Sequence, residues 1–97
     1  MPQSNRIKMR RRKARHKQFV WSYLSTHPCI DCNEKDPIVL EFDHVRGAKR
    51  ANISQLLSYG SSIGVLKHEI SKCEVRCANC HRRRTATEQR WSKGILT

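Results

Sequence analysis

Two Cys-x-x-Cys pairs, Cys29-Ile30-Asp31-Cys32 and Cys77-Ala78-Asn79-Cys80, constrain this chain more than anything else in it. Two residues between thiolates let the backbone wrap one ion while its amides turn toward the sulfurs. A double pair therefore reads as a tetrahedral four-thiolate site for structural zinc. Redox exchange is the rival reading for either pair alone. The total of five cysteines is odd, which argues against a simple disulfide framework. The gap between the pairs is longer than in a compact zinc ribbon, so a sizeable insert hangs from the staple. Cys73 is left over and alternates with Val75 as a strand would, which reads as a buried free thiol. A chain of 97 residues, 37% of them hydrophobic, makes one small domain with a limited core, the situation in which a metal staple helps most.

The net charge is +12, with a pI near 10.2 and a mean hydropathy of −0.74. Such a field draws polyanions, and nucleic acid is the expected partner. No apolar run reaches the roughly 18 residues a membrane span needs. The basic N-terminus lacks the apolar stretch of a signal peptide, so the cytoplasm is the expected compartment. Between Arg6 and Lys17, eight of twelve residues are Lys or Arg. Val20, Tyr23 and Leu24 follow at helical spacing, which predicts one helix from about Ser4 to Thr26 with a basic front and an apolar rear. His27-Pro28 ends it, because a residue before proline avoids the helical region. The chain thus divides into a basic helix or arm over 1–27 and a stapled domain over 28–97. Within the arm, Arg10, Arg11, Arg12 and Lys13 are the expected phosphate contacts.

Asn33 suits a left-handed turn after the first knuckle. Pro37 precedes a short strand, Ile38 to Phe42, with Asp43-His44 at its end. Neighbours in a continuing strand face opposite sides, so these two share a site only if the chain bends there. Arg46-Gly47 offers a turn. The insert, 48–72, predicts two short helices. One starts at Asn52 as cap with Gln55 reaching back and is broken at Gly60-Ser61-Ser62. The second carries an apolar stripe of Val65, Leu66, Glu69, Ile70 and Cys73. Glu74-Val75-Arg76 pairs with the first strand. A last helix runs from about Ala78 toward Trp91, Gly94 ends it, and Ile95-Leu96 fold back. His16, His27 and His68 read as surface residues without a role.

The order strand, strand, helix carries Leu40-Glu41-Phe42-Asp43-His44 at the first strand and Cys77-Ala78-Asn79-Cys80-His81-Arg82-Arg83-Arg84-Thr85 at the helix. In this layout the chain resembles the HNH endonuclease family, whose fold is called ββα-metal. The likeness runs from Cys29 to about Thr85, and the arrangement is similar to small HNH proteins often encoded by phages. It implies an α+β fold: a small ββα-metal domain with a structural four-cysteine zinc site (Cys29, Cys32, Cys77, Cys80), a helical insert and an N-terminal basic helix. It also implies a catalytic divalent metal (Mg²⁺, Mn²⁺ or a transition metal) held by Asp43 and His81, with His44 as general base. These roles suit the residue types as well. Phosphodiester hydrolysis needs a base near neutrality and charge neutralisation at phosphate and leaving oxygen. Arg82 and Arg84 follow the proposed ligand on the same helix and are expected at phosphate. The family's middle asparagine, nine residues before the last histidine, braces the loop carrying the base. Here that position is Lys72, which leaves Asn52 or Asn79 as stand-in braces.

The expected function is metal-dependent hydrolysis of DNA phosphodiester bonds, by nicking or double-strand cleavage, in a bacterial host cell and from a phage-type gene. The alternatives are a catalytically inactive zinc-containing nucleic-acid-binding module, a ribosome-associated zinc protein included, or an accessory subunit that works with a phage terminase or another packaging protein. A pure binder has no use for Asp43 beside His44, and that pair separates the readings.

Overall fold

The computed structural model describes residues 2–89, an α+β chain of four helices and one two-stranded antiparallel sheet. Helix α1 spans Pro2–Thr26, strand β1 Leu40–His44, α2 Ile53–Tyr59, α3 Ile63–Ile70, β2 Cys73–Cys77 and α4 Ala78–Glu88. The expected helix through Trp91, its Gly94 stop and the Ile95-Leu96 return lie outside the described residues. Among those described, no helix is long and apolar enough to cross a membrane.

The sheet has two unlike faces, and this difference organises everything around it. The register pairs Leu40 with Cys77, Phe42 with Val75 and His44 with Cys73 on one face. Alternation puts Glu41, Asp43, Glu74 and Arg76 on the other. Val20, Tyr23 and Leu24 from the rear of α1 pack with Leu40, Phe42 and Val75 and with Cys29, Cys77 and Cys80. A second cluster, Ile53 and Leu56 of α2 with Leu66 and Ile70 of α3, meets the same helix through Phe19, Val20 and Tyr23. The charged face takes α4, whose His81 and Arg84 reach Glu41 and Asp43.

Local chemistry sets the boundaries. The chain over Ile38 and Val39, expected to be extended, instead forms a single 3-10 turn with Pro37. The Asp36 carboxylate accepts from the Ile38 amide at 3.0 Å, and Pro37 has its backbone angle already set for the first turn position. Ile38 is left 78% exposed. The strand therefore starts at Leu40, and Asp43 and His44 are its last two residues, paired with Glu74 and Cys73. The turn at Gly47 comes three residues after His44, with Gly47 at a φ of 69°.

Asn33 does adopt the left-handed region, at φ 66°. The Asn52 amide donates to Gln55 Oε1 at 2.8 Å at the start of α2. Gly60 ends α2 in the left-handed conformation, φ 69°. A Cβ there would run into the side chain of Met9, so the α2–α3 turn lies close against α1. Arg12 donates to the Gly60 carbonyl at 3.3 Å, fastening the basic helix at the same point. His16, expected at the surface, is buried at 8% exposure, on the α1 face that runs from Met9 toward Val20 and Tyr23. His27 and His68 are exposed. Cys73 leaves the α3 stripe to become the first residue of β2; the helix stops at Ile70 and the chain turns through Ser71-Lys72.

Candidate functional site

The four paired cysteines converge. Their sulfurs all lie within 4.8 Å of one another, and the Cys32 and Cys77 sulfurs are 3.7 Å apart. Four thiolates at about 2.3 Å from one zinc would stand about 3.8 Å from each other, so the group is sized to hold such an ion. Backbone bonds fix it. Asn33 donates to the Cys29 carbonyl at 2.8 Å, and Ile30 donates to the Val75 carbonyl at 2.9 Å, which binds the first knuckle to β2. The Cys77 side chain caps α4 by accepting from the Cys80 amide.

Burial acts to raise the Cys29 thiol, but backbone amides of Cys77, Cys32 and Asp31 outweigh it and bring it down to about 6. Hydrogen bonding to Cys77, followed by burial, pushes Cys80 up to about 12. Sulfurs this close resist carrying negative charge together, a repulsion that a central cation would remove. Cys73 stands apart as a buried thiol, raised to about 11 by burial and by the charges of Glu69 and Asp43.

His44 and His81 line one cavity at the free edge of β1, and Asp43 stands behind His81 on the charged face, outside that lining. Asp43 and His44 do face opposite sides, with no bend between them. A two-stranded sheet nevertheless leaves β1 one unpaired edge, and that edge can be approached from both faces. A cavity of about 370 Å³ lies there, lined by Glu41, Phe42, His44, the Asn52-Ile53-Ser54 start of α2, and His81. His81 Nδ1 faces Glu41 Oε1 at 2.9 Å, and its Nε2 stands 3.4 Å from Asp43 Oδ1. A ring that donates from Nδ1 keeps the lone pair on Nε2, toward the aspartate. Two donors 3.4 Å apart fit two ligands of one ion at about 2.1 Å each.

Sequence reasoning did not anticipate the partners of these residues. The Asp43 carboxylate, 4% exposed, accepts from Arg76 at 2.9 Å and from Arg84 at 2.9 and 3.0 Å. Arg76, itself 8% exposed, also binds Asp31 at 2.8 Å and Glu74 at 3.2 Å. Arg84, expected at phosphate, is turned inward to Asp43 and to Glu88. Arg82 lines a shallow groove with Glu41, Asn79, His81 and Thr85.

On the opposite face His44 Nε2 meets Glu69 Oε2 at 2.9 Å. Glu69 is 1% exposed and takes two further donors, the Arg50 amide at 3.0 Å and Lys72 Nζ at 2.9 Å. Burial would raise this carboxyl, but the bonds from Lys72, Arg50 and His44 hold it down to about 2. Its signal in the sequence was a lone acid on the apolar stripe between Leu66 and Ile70, where an unpaired charge would be costly. Neither Asn52 nor Asn79 bonds the loop after β1. Lys72 does so, through Nζ to the Ala48 carbonyl at 2.7 Å and through its own carbonyl to the Val45 and Arg46 amides at 2.8 and 3.2 Å.

The basic residues of α1 sort into faces. Arg6, Arg10, Lys13 and Lys17 form one row beside Met9 and Ala14, while Arg12 is drawn to Gly60. No Asp or Glu occurs in α1; all eight acids lie between Asp31 and Glu88. No protein-family profile, curated protein or solved structure matches this chain.

Two outcomes follow from these contacts. Native mass spectrometry should find one zinc per chain. Stripping it with a strong chelator should cost more stability than any single core truncation, because a metal that binds only the folded chain adds its binding energy to folding. The Glu69 carboxyl, at about 2 in the fold against an ordinary 4.5, stabilises the protein fully above about pH 4.5, and the contribution is lost as pH falls toward 2. Denaturant titrations of the parent and Glu69→Gln should therefore converge in stability across that window. Loss of zinc in acid affects both proteins and drops out of the difference.

Proposed function

We propose that this chain is a zinc-stapled endonuclease of the HNH type, hydrolysing DNA phosphodiester bonds with His44 as general base. The observation that carries the reading is the shared cavity at the β1 edge, where His44 and His81 line one space and His81 Nε2 stands 3.4 Å from Asp43 Oδ1. With Nε2 engaged by Glu69, the His44 nitrogen left for proton transfer is Nδ1. It takes the proton of a water whose oxygen attacks phosphorus, and the bond to the 3′-oxygen breaks. A divalent ion held by Asp43 Oδ1 and His81 Nε2 would supply charge neutralisation at the phosphate and the departing oxygen. Glu41 keeps His81 in the tautomer that presents Nε2. Arg76 and Arg84 hold the Asp43 carboxylate in place and leave Oδ1 its face toward His81.

The row Arg6, Arg10, Lys13 and Lys17 gives the duplex its backbone contacts. These residues recur at helical spacing over roughly 16 Å of axis, with no acid on the helix to compete for them. The rival reading is a zinc-stapled nucleic-acid binder without turnover. One observation favours it: both Asp43 oxygens already accept from arginine.

Plasmid cleavage with Mg²⁺, Mn²⁺, Ni²⁺ or chelator, with His44→Ala alongside, separates the two. Metal-dependent nicking or linearisation, reduced about 100-fold or more in the variant, is the expected result. Intact plasmid in every lane, from zinc-loaded protein that still shifts DNA on a gel, would leave the binder. Replacing Arg6, Arg10, Lys13 and Lys17 together by Ala should weaken binding to unrelated duplexes alike. It should also flatten the slope of log affinity against log salt by about 3 to 4. An unchanged slope would remove α1 from the interface.

A further inference from the structure

The buried Glu69 has more donors aimed at it than a stray acid on a helix would collect, and all three come from the surroundings of His44. Arg50 lies in the loop that follows β1, Lys72 in the turn that leads into β2, and His44 ends β1. Lys72 also reaches across to the Ala48 carbonyl, so one ammonium group ties that loop to the Glu69 carboxylate. The imidazole is thereby given a single anionic neighbour, at Nε2. Its Nδ1 has no partner among the described residues, and the ring lines the β1 cavity.

We propose that Glu69 is a positioning residue for His44. It fixes the ring as the Nε2–H tautomer with Nδ1 turned to the cavity, and Lys72 locks Glu69 and the loop after β1 into one unit. The inference rests on His44 being the base of the proposed reaction. A carboxylate with Oε1 on Lys72 and Oε2 on both His44 and Arg50 cannot rotate without breaking bonds at each oxygen, so it offers the ring an acceptor of fixed direction. The bonded proton settles which nitrogen keeps its lone pair. Lys72 thus serves as the loop brace, and the length of its side chain lets it serve Glu69 at the same time. An asparagine at this position would be too short to be expected to make both contacts.

The test uses the full zinc-loaded chain labelled with nitrogen-15 histidine, its His44 signals assigned by comparison with His44→Ala. Long-range proton–nitrogen correlation spectra, taken at a pH where the ring is neutral, read the tautomer directly and need no catalysis. The parent should show His44 as Nε2–H. Glu69→Ala and Lys72→Met, each checked for zinc content and helical circular dichroism, should show a mixture of tautomers.

In cleavage assays both variants should lose at least tenfold in kcat with KM for DNA within about twofold. The Glu69→Ala loss should vanish when His44 is already Ala. Nδ1–H as the main form in the parent would overturn the proposal whether or not either variant folds. So would an unchanged tautomer in folded Glu69→Ala. A parent that shows Nε2–H but never cuts DNA would sink the nuclease reading and leave the positioning by Glu69 standing.

Discussion

Cys77 is where the structure is tied together. It is the last residue of β2, its side chain caps α4, and its sulfur belongs to the four-cysteine group. A domain with two small apolar clusters and one short sheet has little else to fix the angle at which α4 leaves β2. With that angle set, His81 and Arg84, three residues apart on α4, both arrive over Asp43. The first knuckle, bonded to β2 through Ile30 and Val75, anchors the group from the other side. A metal held by this group would therefore determine geometry as well as stability. The position of an imidazole at the β1 edge depends on sulfur chemistry on the far side of the same turn.

Much of this could be read from the residues because the signals were local. The Cys-x-x-Cys pairs, the Gln55 reach to Asn52, the Gly60 stop and the apolar rear of α1 each depend on neighbours within a turn or two, and each stands where the spacing put it. The failures share a different cause. Ile38 and Val39 look like strand by composition, yet Asp36-Pro37 sets a turn first and moves β1 downstream. His16 looked solvated within a basic run, but the position of α2 and α3 against α1 is a tertiary fact with no local mark. Arg84 looked like a phosphate ligand because the partner that holds it, Asp43, is 41 positions away.

The carboxylates tell the same story from the other side. Asp43 was singled out, while Glu69, which also accepts three hydrogen bonds, was counted as one position of an apolar stripe. Glu41 was quoted only as part of a motif. Which acid serves which histidine follows from the cross-strand register and from the packing of α3, and neither is written in spacing. The two histidines nonetheless end with matching arrangements: each has one ring nitrogen on a glutamate, Glu69 for His44 and Glu41 for His81.

The pairing of two short strands has a consequence beyond holding the sheet together. Asp43 and His44 are adjacent, and the faces they occupy are assigned by the parity of the ladder alone. Slipping β1 past β2 by a single residue would place the imidazole among arginines and push the carboxylate against Glu69, acid on acid, while Phe42 turned out to the charged face. No intermediate arrangement exists between these two states. The error that would separate Asp43 and His44 from their present partners is thus one the fold also penalises, through a buried like-charge pair and an exposed aromatic ring. With five residue pairs in the ladder, it is this parity that keeps the one-residue slip out of reach.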